Sequence, residues 1–232
     1  MMMTLRALAA LLSYPSEDLK ANAGQLRDAF AREQMLTNGE RQRLEPLLAR
    51  FERDELLDLQ ATYSELFDRS RSLSLHLFEH VHGDSRERGQ AMIDLARQYM
   101  DSGFLLEAKE LPDFIPVFLE YASCLPMQEA REMLGQPAHV FAALAERLDK
   151  RGSDYAGIFH SLVALADAKP DAAAIAQIDE NTPKEDPATI DEEWEEAPVS
   201  FMSSGAHEMG GPTGVVAKIR ASNRPVDRET GQ

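Results

Sequence analysis

The chain has 232 residues, of which 40 are acidic and 24 basic, so its formal net charge is −16. This charge excludes the positive footprint that nucleic acids and anionic membrane surfaces require, and it favours basic partners. The single cysteine, Cys124, excludes an internal disulfide and is typical of a reducing compartment. With 44% hydrophobic residues, the chain can bury a core of ordinary size.

The N-terminal stretch predicts a core helix rather than an export signal. Leu5, Leu8 and Leu12 lie on one face of a helix. The only early positive side chain is Arg6, and no clear small-residue cleavage site follows the short apolar run. No other stretch approaches the roughly 20 apolar residues of a membrane span. The sequence therefore predicts a cytoplasmic protein without membrane insertion.

The apolar residues keep a helical period up to about Lys169. One helix is expected from Ser16 to about Arg32. The next begins at Thr37, which forms a capping-box pattern with Glu40. The inner faces of this helix and of the one after it are marked by Leu44, Leu47, Leu48, Phe51, Leu56, Leu59, Tyr63, Leu66 and Phe67.

Caps and prolines predict the rest of the helices. Their expected starts are Asp84 or Ser85, Pro112, Pro137 and Tyr155, and the last helix is expected to end at Ala168. Sustained strand alternation, hairpin turns and internal repeats are not found in the sequence. The predicted fold is therefore all-α, a globular bundle of roughly eight helices.

The composition changes after Lys169, which divides the chain into a helical domain, 1–169, and a tail, 170–232. The 18 residues from Asp179 to Glu196 hold nine acids and one lysine, and prolines and glycines are frequent around and beyond them. Such sequence buries too little apolar surface to offset chain entropy, so we expect much of the tail to be disordered. The segment Trp194–Phe201 is the exception: it can dock on the bundle, hold a short helix there, or remain exposed.

The stretch LHLFEHVHGDSRERG, Leu75–Gly89, contains three of the six histidines and an H-x-x-E-H motif. On a helix, His76 and His80 would share a face beside Glu79, as in a hydrolytic zinc site. That site also needs a third ligand, and the sequence offers none at a defined spacing. We therefore favour a polar edge on an apolar helix. We expect no metal ligand, and we expect folding to survive loss of both histidines nearly intact.

Other catalytic signatures are also missing from the sequence, including nucleophile elbows, phosphate-binding loops and paired cysteines. We predict no catalytic residue. An apolar groove with an acidic rim would suit an amphipathic basic helix. From the residues alone, a general helix-binding adaptor and a zinc-dependent hydrolase using His76, Glu79 and His80 remain the alternatives.

Four segments resemble those of the nitrate reductase molybdenum-cofactor assembly chaperones, the NarJ type of the redox-enzyme maturation chaperones. They are YSELFDR (Tyr63–Arg69), LFEHVHGDSRERGQAMIDL (Leu77–Leu95), ELPDFIPVFLEYAS (Glu110–Ser123) and WEEAPVSF (Trp194–Phe201). The resemblance runs from about Leu5 to Phe201. It implies an all-helical chaperone that is not itself an enzyme.

The resemblance also implies a partner. That partner is the apo catalytic (alpha) subunit of nitrate reductase, bound in the cytoplasm through its N-terminal segment. The chaperone keeps it competent for insertion of the molybdenum bis-guanine-dinucleotide cofactor and delays membrane docking. Cofactor-biosynthesis proteins are further candidate partners, and no cofactor is expected to stay bound. The expected client-peptide groove is lined by Tyr63, Phe67, His76, Phe78, Glu79, His80, Asp84, Arg86, Arg88, Pro112, Asp113 and Glu120.

Overall fold

A computed structural model describes residues 1–83, 87–106, 110–166 and 168–181, with the side chains of 177 and 179–181 left out. The described part contains twelve α-helices, listed here in chain order: α1 (Met3–Leu11), α2 (Glu17–Ala21), α3 (Ala23–Glu33), α4 (Asn38–Arg53), α5 (Leu56–Tyr63), α6 (Leu77–His82), α7 (Glu87–Asp101), α8 (Ile115–Cys124), α9 (Met127–Gly135), α10 (Ala138–Lys150), α11 (Ala156–Leu165) and α12 (Ala172–Asn181). A π-helical turn, Ser64–Asp68, continues α5, and a 3₁₀ turn, Arg71–Leu73, precedes α6.

The all-α fold class is confirmed. The described residues form no β-strand beyond an isolated bridge between His76 and Phe114. There are more helices than the roughly eight expected, because short local signals divide longer apolar periods. None of the described helices is long and apolar enough to cross a membrane.

The helix expected from Ser16 to Arg32 is divided into α2 and α3 at Asn22. The Asn22 side chain donates to the carbonyl of Asp18 at 2.7 Å and accepts from Gln25 at 2.6 Å. Asparagine side chains compete in this way with the backbone hydrogen bonds of a helix. The break therefore follows from the chemistry of one residue within an otherwise helical period.

The capping box at the start of α4 is confirmed. The backbone N–H of Glu40 donates to the Thr37 hydroxyl at 3.3 Å, and the Thr37 N–H donates to the Glu40 carboxylate at 2.6 Å. The first-turn proline expected at Pro112 is wrong: α8 begins at Ile115, and Pro116 occupies its first turn. Pro112 is instead buried in the connection before α8.

The core is built around α1, α8, α10 and α11. The helix α1 packs on α8 and α3, and α11 packs on α10 and α4. Leu5 and Leu8 of α1 have no exposed surface, as the predicted core helix requires. Gly157 lets α11 approach α4, because a Cβ atom there would lie 2.5 Å from the carbonyl oxygen of Arg43.

The helical body continues past Lys169, where the composition had suggested a boundary. Asp171 caps α12 by accepting from the N–H of Ala173 at 2.9 Å. This helix packs on α10 and α6, and Ile178 is 5% exposed. The compact unit that begins at Met1 includes all of α12. The acidic tail from residue 182 onward, including Trp194–Phe201, lies outside the described residues.

Candidate functional site

The bridge between His76 and Phe114 joins two segments that are far apart in the chain. The N–H of Leu77 donates to the carbonyl of Asp113 at 3.0 Å, and the N–H of Ile115 donates to the carbonyl of Leu75 at 2.8 Å. The start of α6 is thereby fixed against the start of α8. The H-x-x-E-H motif and the ELPD segment therefore meet at one place.

Asp113 is the central side chain of this junction. It has no exposed surface. Its Oδ2 accepts from the backbone N–H of Phe78 at 3.1 Å, and its Oδ1 lies 3.3 Å from Nδ1 of His76. The residue at the N-cap of α6, His76, makes no capping bond of its own. Asp113 thus caps α6 from a distant segment and supplies negative charge at the helix N-terminus.

The two motif histidines have different environments. His76 has extended backbone, its side chain is 30% exposed, and its ring lies 5.3 Å from that of Phe114. His80 is 8% exposed and donates from Nε2 to the carbonyl of Ser74 at 2.8 Å. Burial lowers the pKa of His80, and the hydrogen bond to Ser74 only partly opposes this effect.

This geometry departs from a zinc site. His76 precedes α6, so His76 and His80 are not on successive turns of one helix. The carboxylate of Glu79 accepts from Nη2 of Arg88 at 3.0 Å, an ion pair that joins α6 to α7. Among the described residues, no three side chains of metal-binding type come together. The motif instead supports the packing of α6.

Phe78 and Pro112 lie at the same junction. The ring of Phe78 is half-buried and packs 5.6 Å from that of His82. The carbonyl of Pro112 accepts from the hydroxyl of Tyr99 at 2.9 Å, which holds the end of α7 against the start of α8. The structure therefore brings together seven predicted site residues: His76, Phe78, Glu79, His80, Arg88, Pro112 and Asp113.

Tyr63 and Phe67 belong to a separate aromatic cluster. The ring of Tyr63 contacts Tyr14, Phe67 and Tyr155, with centroids 5.5, 4.9 and 6.3 Å apart. Its hydroxyl donates to the carbonyl of Leu12 at 2.9 Å, and burial raises its pKa. Tyr63 is 4% exposed and Phe67 7% exposed. These rings therefore hold α5 and its π-helical turn in the core and offer little surface to a ligand.

Glu120 lies in a third place. It is exposed on α8 and lines a groove between α1 and α3, together with Met3, Arg6 and Leu26. Its carboxyl group is nevertheless partly shielded from solvent in this groove, and this shielding, together with the negative charge of Glu110, raises the pKa of Glu120. The two remaining predicted residues, Asp84 and Arg86, lie outside the described residues.

Two residues that make contacts at the junction, Ser74 and Tyr99, were not predicted from the sequence as part of the site. The carbonyl of Ser74 accepts from His80, and its hydroxyl accepts from the N–H of His76 at 3.2 Å. Tyr99, which has no exposed surface, packs 4.4 Å from the ring of Tyr121. No local pattern in the sequence distinguishes Tyr99 from other core aromatics.

Residues 13–161 match the family model described as nitrate reductase delta subunit. The match covers more than half of the chain. The chain belongs to this family. The resemblance seen in the sequence segments is thereby confirmed.

Relatives support the same assignment over most of the chain. It is 41% identical over 203 residues to the nitrate reductase molybdenum cofactor assembly chaperone NarJ of Escherichia coli K12, covering 87% of this chain and 86% of that one. A protein of Bacillus subtilis 168 named as a probable chaperone of the same kind, also NarJ, is 36% identical over 164 residues, covering 69% and 86%. The chain is thus of the NarJ type, whose members are named as chaperones and not as enzymes.

A solved structure shares the fold. A crystal structure from Archaeoglobus fulgidus, titled as a redox enzyme maturation protein, superposes with a TM-score of 0.50 at 20% identity, covering 70% of this chain and 91% of that one. At this identity the similarity concerns the arrangement of helices alone. It agrees with the bundle described above.

Proposed function

We propose that this chain is a dedicated assembly chaperone of respiratory nitrate reductase. It binds the N-terminal region of the apo catalytic subunit, keeps that subunit competent for insertion of the molybdenum bis-guanine-dinucleotide cofactor, and delays its docking at the membrane. The observation that carries the proposal is the 41% identity to NarJ over 203 residues. The cofactor is cargo for the client and is not retained by the chaperone.

The junction of α6 and α8 supports a binding role. Its buried members, His80, Pro112 and Asp113, fix the position of α6. Its partly exposed members, His76, Phe78 and Glu79, face the outside of the bundle and remain the proposed contacts of a client peptide. A rigid support beneath a small set of accessible groups is the arrangement that binding sites require.

The charge of the chain supports a basic client segment. A formal net charge of −16 attracts basic peptides and repels nucleic acid and anionic lipid. Complementary charge raises the association rate more than the affinity. Helix formation in a peptide that is unstructured when free costs several kcal/mol of the interaction energy. Release therefore becomes favourable when the client segment folds elsewhere, as it does once the cofactor is in place.

The proposed site of action is the cytoplasm, where the apo subunit is available before it reaches the membrane. The single cysteine of the chain suits a reducing compartment. Cofactor-biosynthesis proteins are proposed as secondary partners, since they must deliver cofactor to the same apo subunit. Neither proposal needs this chain to bind the cofactor itself.

Co-purification tests the proposed function. The tagged full chain is produced with the nitrate reductase catalytic subunit in cells that cannot make the cofactor. We expect the subunit to co-purify, and we expect a subunit without its N-terminal segment to be lost. A cofactor-loaded subunit serves as the released-state control. Equal recovery of all three forms would contradict the proposal. Equal binding of unrelated basic helices would instead favour a general adaptor.

A further inference from the structure

Basic side chains cluster where the 3₁₀ turn Arg71–Leu73 packs on the end of α10, although the formal net charge of the chain is −16. The cluster, here called the α10 basic patch, consists of Arg69, Arg71, Arg147, Lys150 and Arg151. Residues 68–72 and 146–151 hold these five bases and three acids, a net charge of +2. The patch therefore has the opposite sign to the chain as a whole.

Two arginines near the C-terminus of α10 hold the segment between the π-helical turn and α6. Nη1 of Arg147 donates to the carbonyl of Ser72 at 2.7 Å, and Nη2 of Arg151 donates to the hydroxyl of Ser70 at 3.3 Å. The bonded residues are 75 and 81 positions apart in the chain. The residues beside the two serines are thereby brought next to the end of α10, so the patch forms only in the folded protein.

The positive charge of the patch is accessible at the surface. Arg69 and Arg71 are exposed, and among the described residues neither guanidinium has a carboxylate partner. Lys150 is also exposed, and its ammonium group lies 3.9 Å from the carboxylate of Glu146. Such exposed pairs within one helix contribute little binding energy. These three cations are therefore available to an anionic ligand.

The position of the patch indicates which anion fits. Four of its five bases are arginines, and a guanidinium can donate two parallel hydrogen bonds to a carboxylate or a phosphate. Phosphate sites commonly add backbone N–H groups at a helix N-terminus. Here Arg147 and Lys150 lie in the last turn of α10, where a helix carries partial negative charge. Single carboxylates spread along a segment suit this place better than one concentrated phosphate charge.

We propose that the α10 basic patch binds an acidic, extended segment of a partner protein. Long polyanions such as nucleic acid, and anionic bilayers, are disfavoured by the strongly negative charge of the rest of the chain. The inference goes beyond the proposed function, because the patch selects the opposite charge to that of the client segment. The chaperone thereby has separate residues for a basic client segment and for an acidic partner.

Titration calorimetry on the full chain at low salt tests the patch. The probe is a synthetic peptide of alternating glutamate and serine, and a peptide of alternating glutamine and serine is its uncharged control. The test variant is Arg69→Gln/Arg71→Gln. The matched variant, Arg43→Gln/Arg131→Gln, removes the same charge from exposed positions of α4 and α9.

We expect the wild type to bind the glutamate peptide and not the glutamine peptide. The test variant should bind about tenfold more weakly, because two charge-assisted contacts are lost. The matched variant should stay within about twofold of the wild type, since charges elsewhere on the surface act only through a screened long-range field. Thermal melting of both variants should be like that of the wild type, because neither arginine pair has a carboxylate partner among the described residues.

The other results overturn the inference. Wild-type affinity in the test variant, an equal loss in the matched variant, or no binding by the wild type would show that the patch is not the site. Displacement of the peptide by inorganic pyrophosphate at a lower concentration than free glutamate peptide would identify a phosphate-bearing ligand instead. Stronger binding by the full-chain variant Glu192→Gln/Glu193→Gln/Glu195→Gln/Glu196→Gln would identify the acidic run of this chain, and not a partner, as the occupant.

Discussion

The carboxylate of Asp113 accepts a hydrogen bond from the backbone N–H of Phe78 at 3.1 Å, although 35 residues separate them in the chain. A helix that lacks a cap in its own sequence is capped by a buried side chain from the segment before α8. The bond orients α6 and binds it to α8. A local helix signal thus depends on a long-range contact.

Replacing Asp113 should therefore lower the free energy of unfolding, and this effect does not depend on any ligand. We expect Asp113→Ala to cost about 1–3 kcal/mol, because the partly buried N–H of Phe78 is left without its partner. Asp113→Asn keeps an acceptor and should recover part of the loss. Urea unfolding measures both. The control is Asp101→Ala, an exposed aspartate, which should change stability little. Unchanged stability in Asp113→Ala would refute the capping role.

Stability should fall at mildly acidic pH, in part because of His80. Burial lowers the pKa of His80 in the folded state below its ordinary value near 6.5. Arg147 and His76 also lower this pKa, whereas Glu79 and the bond to Ser74 raise it. The unfolded chain therefore binds a proton at a higher pH than the folded chain does. The contribution of neutral His80 to stability is complete above about pH 6.5 and is lost as the pH falls below that value.

The variant His80→Gln isolates this effect. Glutamine can still donate to the carbonyl of Ser74 but does not titrate. We expect the difference in unfolding free energy between pH 7 and pH 5.5 to be smaller in His80→Gln than in the wild type. His160→Gln, which changes a half-buried histidine of α11, is the control. An identical pH dependence in wild type and His80→Gln would show that His80 does not cause the loss of stability at acidic pH. His80→Ala should destabilise, contrary to the sequence expectation, because His80 is buried.

Two truncations should separate α12 from the acidic tail. A chain ending at Lys169 loses Ile178, which is 5% exposed, and the partly buried Ile175. We expect it to lose about 2 kcal/mol of stability, near the value of one fully buried isoleucine. A chain ending at Asn181 keeps both and should melt like the full chain. Equal melting temperatures for the two truncations would show that α12 adds nothing to the bundle.

Binding of a basic client peptide should depend on Glu79 and on salt. Glu79→Gln removes a partly exposed charge while keeping its shape, so we expect weaker binding by up to roughly 1 kcal/mol at low salt. The effect should shrink at about 0.15 M salt, where the Debye length is near 8 Å. Titration calorimetry at two salt concentrations measures this. Glu129→Gln, an exposed change on α9, should bind like the wild type.

The sequence was sufficient for the fold class because helical periods are local. The spacing of Leu5 and Leu8 and the box of Thr37 with Glu40 each specify a helix within a few residues. The sequence was less sufficient for the boundaries of the helices and of the helical domain. Pro170 and Asp171 before Ile175 and Ile178 form a helix-start signal, whereas the acidic sequence that follows them predicts a tail.

The site could be predicted only in part. The segments that meet at the junction were identified by resemblance, yet their contacts depend on the bridge between His76 and Phe114, which no local spacing encodes. Phe67 and Ile93 illustrate the difficulty. Both are apolar residues on amphipathic helices, and only tertiary packing decides that Phe67 is covered and Ile93 is open.

The bridge between His76 and Phe114 also closes a loop around α6 and α7. Because its ends are tied together, we expect this part of the chain to open locally without separating α1, α8, α10 and α11. The free energy of such a local opening is smaller than that of global unfolding. Amide hydrogens of α7 should therefore exchange with solvent faster than those of α10 and α11. Faster exchange confined to α7 would identify this loop as a unit of local opening that is separate from the core of the bundle.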